Sequence, residues 1–270
     1  MPELPEMETY KWLLNQNITG KVITSVQINR EKSINVATED FIKNVQGKKI
    51  IRIERRAKHL LFFLENGNIL LLHLMLGGWM YYGREEDKPN RTIQIQLNFA
   101  QTHLYFIGLR LGYLHLYTSQ EAVEKELEDL GPEPLDIRFT IEAFQLLLAN
   151  RKGRLKTKLV DQQWISGIGN CYSDEICFHA GLLPSRGIEE IDKIEENQLY
   201  QSIQYILRDA IKHGGYMENP LFKGDTLTGG YNKLCKVYDC EGKNCPRCGN
   251  QIIKDIISSR KTFYCSNCQK

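Results

Sequence analysis

Four cysteines near the C-terminus constrain this chain most. Cys245-Pro246-Arg247-Cys248 and Cys265-Ser266-Asn267-Cys268 form two Cys-x-x-Cys pairs with sixteen residues between them. That spacing is read as a tetrahedral four-thiolate Zn2+ site. Sulfur at all four positions leaves none open for substrate, so the one ion is structural and folds a segment too small to bury its own core. The intervening residues, Gln251–Ile257 and Lys261–Tyr264, read as two strands of a β-hairpin finger. The alternative is four free or disulfide-bonded cysteines. The other four cysteines (171, 177, 235 and 240) acquire no role and suit a reducing cytosol.

The rest of the 270 residues divides by pattern. Before residue 130 the chain is mostly β. Val22–Ile28 alternates, as do Thr92–Phe99, Thr102–Ile107 and Tyr113–Tyr117. Leu60–Leu64 and Asn68–Leu74 flank Glu65-Asn66-Gly67, a hairpin signal. One helix follows Pro5. Gly131-Pro132-Glu133-Pro134 breaks any regular element and marks a boundary. Helices are expected beyond it at Ile141–Leu148, Leu155–Val160, Tyr172–Ala180 and Ile194–Lys212, the last with a capping box at Asp192 and Glu195. A long glycine-containing loop runs from Met217 to Tyr231. The expected domains are residues 1–130, a helical domain at 137–232 and a finger at 233–270. The fold class is α+β, with an N-terminal β-sandwich flanked by helices.

Charge is less informative: 35 basic against 33 acidic residues neither demands nor excludes a nucleic acid. Locally, Lys233–Lys270 holds eight Lys/Arg against three acids, and Arg151–Lys158 is basic. These suit a phosphate backbone, or are two solvated surfaces. No apolar run reaches the roughly 20 residues of a membrane span. No signal peptide is visible, so the expected location is cytoplasmic, associated with the nucleoid.

At the N-terminus, Pro2-Glu3-Leu4-Pro5-Glu6 carries possible chemistry. Removal of Met1 would leave a secondary amine at Pro2, partly unprotonated near neutral pH, able to attack an electrophilic sugar carbon and form an imine. Glu3 beside it could relay protons. The plain alternative is that these residues simply start a helix.

These residues resemble the formamidopyrimidine-DNA glycosylase / endonuclease VIII family along the whole chain. Pro2–Glu6 with Glu8-Thr9 matches its start. Arg55-Arg56-Ala57-Lys58 resembles its Arg-Arg-Gly-Lys segment, and His73-Leu74 its His-Leu-Gly-Met segment. Leu130–Leu135 matches its interdomain segment. Asp161-Gln162, Gly167–Asn170 and Tyr172–Glu175 look like its helix–two-turn–helix, and Arg260–Cys265 its finger hairpin. The resemblance implies a bifunctional DNA glycosylase/AP lyase of base excision repair. It would act as a monomer on double-stranded DNA holding a damaged base or abasic site in a cleft between domains. Pro2, Glu3 and Lys58 would be catalytic. Cleavage would proceed by β- and then δ-elimination. His73, Asn170 and Arg260, with Tyr238, would hold phosphates, and Lys156 would lie near the damaged base.

The chain also departs from the family. Where that family fills the vacated stack with Met, Arg and Phe, this chain has Leu76, Leu109 and Leu111. Leu109 replaces the arginine that reads the orphaned cytosine. Arg110, one residue off, would point elsewhere in a strand. Tyr238-Asp239-Cys240-Glu241-Gly242 replaces Tyr-Gly-Arg-x-Gly. A glycosylase or AP lyase for lesions other than 8-oxoguanine, with relaxed opposite-base preference, therefore stands as an alternative. A non-catalytic damaged-DNA-binding zinc protein is another.

Overall fold

The computed structural model describes residues 1–149 and 151–270, which form two compact units. The first comprises Met1–Glu128 together with Met217–Gly230. The second comprises Asp129–Tyr216 and Tyr231–Lys270. The helical region expected to run unbroken from 137 to 232 is thus interrupted, and its long loop packs with the N-terminal unit. The finger shares a unit with the helices.

In the first unit, two four-stranded antiparallel sheets face each other. One has the order β1 (Ser25–Ile28), β6 (Ile93–Phe99), β7 (Thr102–Ile107), β5 (Trp79–Gly83). The other runs β2 (Ile50–Arg56), β3 (His59–Leu64), β4 (Ile69–His73), β8 (Tyr113–Tyr117). Alternation puts Phe62, Leu70 and Leu72 of one sheet and Met80, Leu97 and Phe106 of the other into a single core. Strand β3 is buried along its whole length because its outer face is covered too. Leu61 and Phe63 cluster there with Val123 of helix α3 (Gln120–Glu126). Helix α2 (Thr38–Val45) adds Phe41 and Val45 to the core.

Helix α1 (Leu4–Ile18) buries Met7, Tyr10, Leu14 and Ile18 in the same core. Its start is held by a reciprocal capping box, in which the Glu3 N–H donates to Glu6 Oε2 at 2.7 Å and the Glu3 carboxylate accepts from the Glu6 backbone. The segment Met217–Gly230 is sewn on by buried Leu221, by Tyr82 N–H donating to Leu221 O at 2.6 Å, and by Tyr10 Oη donating to Asn219 O at 2.9 Å.

The second unit carries α4 (Ile141–Leu148), α5 (Leu155–Leu159), α6 (Asn170–Ala180) and α7 (Lys193–Lys212). Asp192 caps α7 in the expected box with Glu195. Between α5 and α6 lies a double turn. Gln162 holds it by accepting from Gly167 N–H and donating to the Val160 and Ile168 carbonyls. Gly131 packs so closely here that a Cβ would sit 2.6 Å from Gln163 O. The finger hairpin is β9 (Ile253–Ile257) paired with β10 (Arg260–Tyr264). No helix among the described residues is long and apolar enough to cross a membrane.

Candidate active site and nucleic-acid interface

In the first unit the catalytic candidates sit at the α1 start and on the tight β2–β3 turn. Pro2 is buried, Glu3 is 2% exposed and Lys58 is 4% exposed. The ion pair Arg55 Nε–Glu8 Oε2, 2.7 Å, ties α1 to that turn. Burial raises the Glu8 carboxyl, but hydrogen bonds from Lys11 and Arg55 outweigh it and hold the group below its ordinary value. The turn is tight enough to put Ala57 at φ +52°.

Behind Lys58 lies a pair of histidines. His59 faces His73 across the β3–β4 register, with ring centroids 4.2 Å apart. Burial, reinforced by neighbouring Lys58, lowers His73 to about 4, and burial with His73 lowers His59 to about 3. Both rings are neutral at pH 7, so His73 can offer a phosphate an N–H but no charge. His73 Nε2 is buried and has no protein partner among the described residues.

Two loops continue from these strands. Gly78, Gly108 and Gly112 bring them together backbone on backbone: a Cβ on Gly108 would lie 2.1 Å from Gly77 O, and one on Gly112 would lie 2.5 Å from His73 O. Leu76 and Leu111 project from them, 63% and 61% exposed. Leu109 does not. It is 0% exposed and part of the core, so it cannot enter a base stack. Arg110 is exposed. The expectation that Arg110 points away rested on strand periodicity, but residues 108–111 form a turn after β7.

In the second unit, Lys156 requires the other correction. It is 1% exposed, and its Nζ donates to Asp174 Oδ1 at 2.5 Å, to Lys261 O at 3.1 Å and to Asn170 O at 3.4 Å. A side chain so enclosed cannot touch a base. Instead it fastens the start of α6 to the finger hairpin. Asp174 Oδ2 accepts from Phe263 N–H, and the Glu175 carboxylate accepts from the N–H groups of Lys236, Val237 and Tyr238. These two adjacent buried acids of α6 pin the finger and the strap before it. Burial pushes both carboxyls up, opposed at Asp174 by Lys156 and at Glu175 by the strap amides. In the sequence these acids show only as part of the Tyr172–Glu175 motif, with no signal for the amides and lysine they hold.

What they position is the expected phosphate set. Asn170 opens α6, where helix amides favour anions. Its Oδ1 is buried without a partner among the described residues. Tyr238 is half-buried against Phe263 and Tyr216. Arg260 is exposed beside a hairpin turn whose residues Ser258 and Ser259 have φ of +48° and +62°.

The four finger cysteines converge, with ligand atoms all within 4.8 Å of one another. Cys245 Sγ lies 3.8 Å from Cys268 Sγ, and Cys248 Sγ 3.5 Å from Cys265 Sγ. A tetrahedron with Zn–S near 2.3 Å requires sulfurs about 3.8 Å apart, so the set fits zinc. None of the remaining four cysteines forms a disulfide among the described residues.

Family models match in the same order. The formamidopyrimidine-DNA glycosylase N-terminal domain covers residues 1–113, that family's H2TH domain 130–219, and the zinc finger found in FPG and IleRS 242–270. The formamidopyrimidine-DNA glycosylase of Pelotomaculum thermopropionicum is 34% identical over 275 residues, covering 100% of this chain and 99% of its own. The chain belongs to the formamidopyrimidine-DNA glycosylase family. A relative of the same name from Protochlamydia amoebophila is 36% identical with both chains fully covered. Among solved structures, Lactococcus lactis Fpg bound to N7-benzyl-Fapy-dG DNA has a TM-score of 0.92 at 29% identity, with 100% of each chain covered. The same enzyme with abasic-site DNA has a TM-score of 0.92 at 28% identity, with 99% of each chain covered. Membership of the glycosylase family places the chain among the DNA glycosylases of base excision repair, with one structural zinc in its finger.

Proposed function

We propose that the chain excises a damaged base from double-stranded DNA and cuts the strand through an imine at its own N-terminus. The observation that carries this is the placement of Pro2 and buried Glu3 at the start of α1, tethered through Glu8 and Arg55 to the turn bearing buried Lys58. Once Met1 is removed, the Pro2 nitrogen attacks C1′ of an extruded nucleotide and the glycosidic bond breaks. Glu3 delivers a proton to the sugar as its ring opens, and Lys58 protonates the departing base. Loss of a C2′ proton expels the 3′ phosphate, a second elimination expels the 5′ phosphate, and water releases Pro2. His73, Asn170, Tyr238 and Arg260 hold phosphates, with Arg260 supplying the cation. Leu76 and Leu111 wedge into the vacated stack.

Borohydride trapping on abasic-site DNA tests the chemistry. A covalent adduct is expected from protein whose N-terminal mass shows Met1 removed, and none from Pro2→Gly. Binding without an adduct from the mature wild-type protein would instead support a non-catalytic lesion binder. A second reading, relaxed opposite-base preference with lesions other than 8-oxoguanine, is favoured by the burial of Leu109, which leaves no guanidinium at that position. Excision of 8-oxoguanine with a strong preference for opposing C would sink it.

A further inference from the structure

Two thiols that neither the zinc nor the mechanism uses frame the strap held by Glu175. Cys235 stands just before it and Cys240 just after Tyr238-Asp239, at the arginine position of the family's Tyr-Gly-Arg-x-Gly. Between them, the N–H groups of Lys236, Val237 and Tyr238 converge on the Glu175 carboxylate, each at 2.9 Å. A return turn, with Cys240 N–H donating to Val237 O at 3.0 Å, folds the segment back on itself. It brings Cys240 Sγ to 3.8 Å from the Cys235 carbonyl oxygen. That carbonyl carbon is bonded to the Cα carrying the Cys235 side chain, so the two side chains leave neighbouring backbone. In the reduced chain Cys235 Sγ instead donates to Tyr231 O at 3.7 Å. Rotation about χ1 swings it toward Cys240, and a disulfide asks only that the two Cα atoms lie within about 7 Å.

The pair is asymmetric in access. Cys235 is half-buried and open to a small oxidant, whereas Cys240 is 9% exposed. Cys171 and Cys177 are sealed at 0%. We propose that Cys235 and Cys240 are a peroxide-oxidised dithiol whose disulfide closes a ring around the Glu175 carboxylate and locks the strap bearing Tyr238. The Cys235 thiolate attacks one oxygen of hydrogen peroxide, the O–O bond breaks, and the hydroxide released leaves as water with the thiol proton. Cys240 sulfur then attacks the Cys235 sulfenic acid, forming the S–S bond and expelling hydroxide, which takes the Cys240 proton. Both sulfurs are oxidised, and the peroxide is reduced to water. Because the strap's ends already meet, closure keeps the three amides on Glu175. The consequence for DNA rests on the reading above that Tyr238 holds a phosphate; the disulfide itself does not.

The experiment treats the zinc-loaded full chain with stoichiometric hydrogen peroxide and maps disulfides by peptide mass spectrometry. Wild type is expected to lose the two thiol hydrogens and yield one cross-link, Cys235–Cys240, with its zinc retained against a chelating dye. Its melting temperature should rise by about 4 °C over the reduced form and fall back in dithiothreitol. Cys240→Ala should stop at a Cys235 sulfenic acid, captured by dimedone, with no rise in melting temperature. Cys235→Ser should give neither product. A cross-link mapped elsewhere, zinc lost before the cross-link forms, no sulfenic acid on Cys235, or an unchanged wild-type melting temperature would overturn the proposal. The wild-type cross-link is read directly, so a variant that fails to fold leaves the test intact. Binding to abasic-site duplex is scored separately by anisotropy. Cross-linked protein should bind within about twofold of reduced protein, and a tenfold loss would overturn the lock. Full binding by Tyr238→Ala would sink the phosphate role of Tyr238 and leave the dithiol standing.

Discussion

At the residue scale, conformation and charge state both leave measurable marks. Asp239 is exposed at φ +53°, where its family commonly has glycine. Relieving a left-handed non-glycine residue outweighs the entropy glycine loses on folding, so Asp239→Gly is expected to stabilise by about 0.5 kcal/mol in urea unfolding. It also removes an acid beside Tyr238 and should tighten duplex binding at low salt. The histidine pair predicts a pH dependence. His59 and His73 stay neutral in the fold, at about 3 and 4, whereas the unfolded chain protonates them below about 6.5. The unfolded state therefore binds more protons, and stability falls as pH drops from about 6.5 toward 4. Each contributes a loss on the order of 2 kcal/mol by pH 5. Chemical denaturation across that range should show a shallower decline for His59→Gln; an unchanged slope would refute the assignment.

Elements explain why parts of this site were readable in advance and others were not. Alternation exposed β6, β7 and β8, Asn66-Gly67 marked the β3–β4 hairpin, and cysteine spacing marked the finger. Strand β2 escaped because Ile50–Arg56 has one face in solvent, so charged residues break its apolar pattern. A period of two misplaces Leu109 and Arg110, because β7 ends at Ile107. Lys156 reads as a DNA-facing cation because its partner, Asp174, lies eighteen residues away, across a double turn. Two experiments probe these joints. Gly108→Ala places a methyl against Gly77 O and should cost at least about 2 kcal/mol, uncoupling the leucine tips. Equilibrium unfolding and lesion binding should fall together. Lys156→Ala strands a buried carboxylate and should cost about 3–5 kcal/mol, partly recovered in Lys156→Met/Asp174→Asn. If Lys156 positions and does not touch DNA, the double variant keeps the wild-type salt slope of binding.

The whole molecule shows how little a total can say. A net charge of +2 averages acidic α3 and the start of α7 against a basic finger. The first unit is also discontinuous, since Leu221 fills its core from the far side of the helical segment. A fragment ending at Glu128 should therefore melt below the same fragment supplied with a peptide of residues 217–230; equal melting would refute this. The arrangement sets a timetable for biogenesis. On the ribosome the sandwich waits for its last piece while roughly ninety further residues are made, some 5–20 s at ordinary elongation speeds. Through that interval a gap in the core and the bare edge of β5 stand open to chaperones and to neighbouring nascent chains.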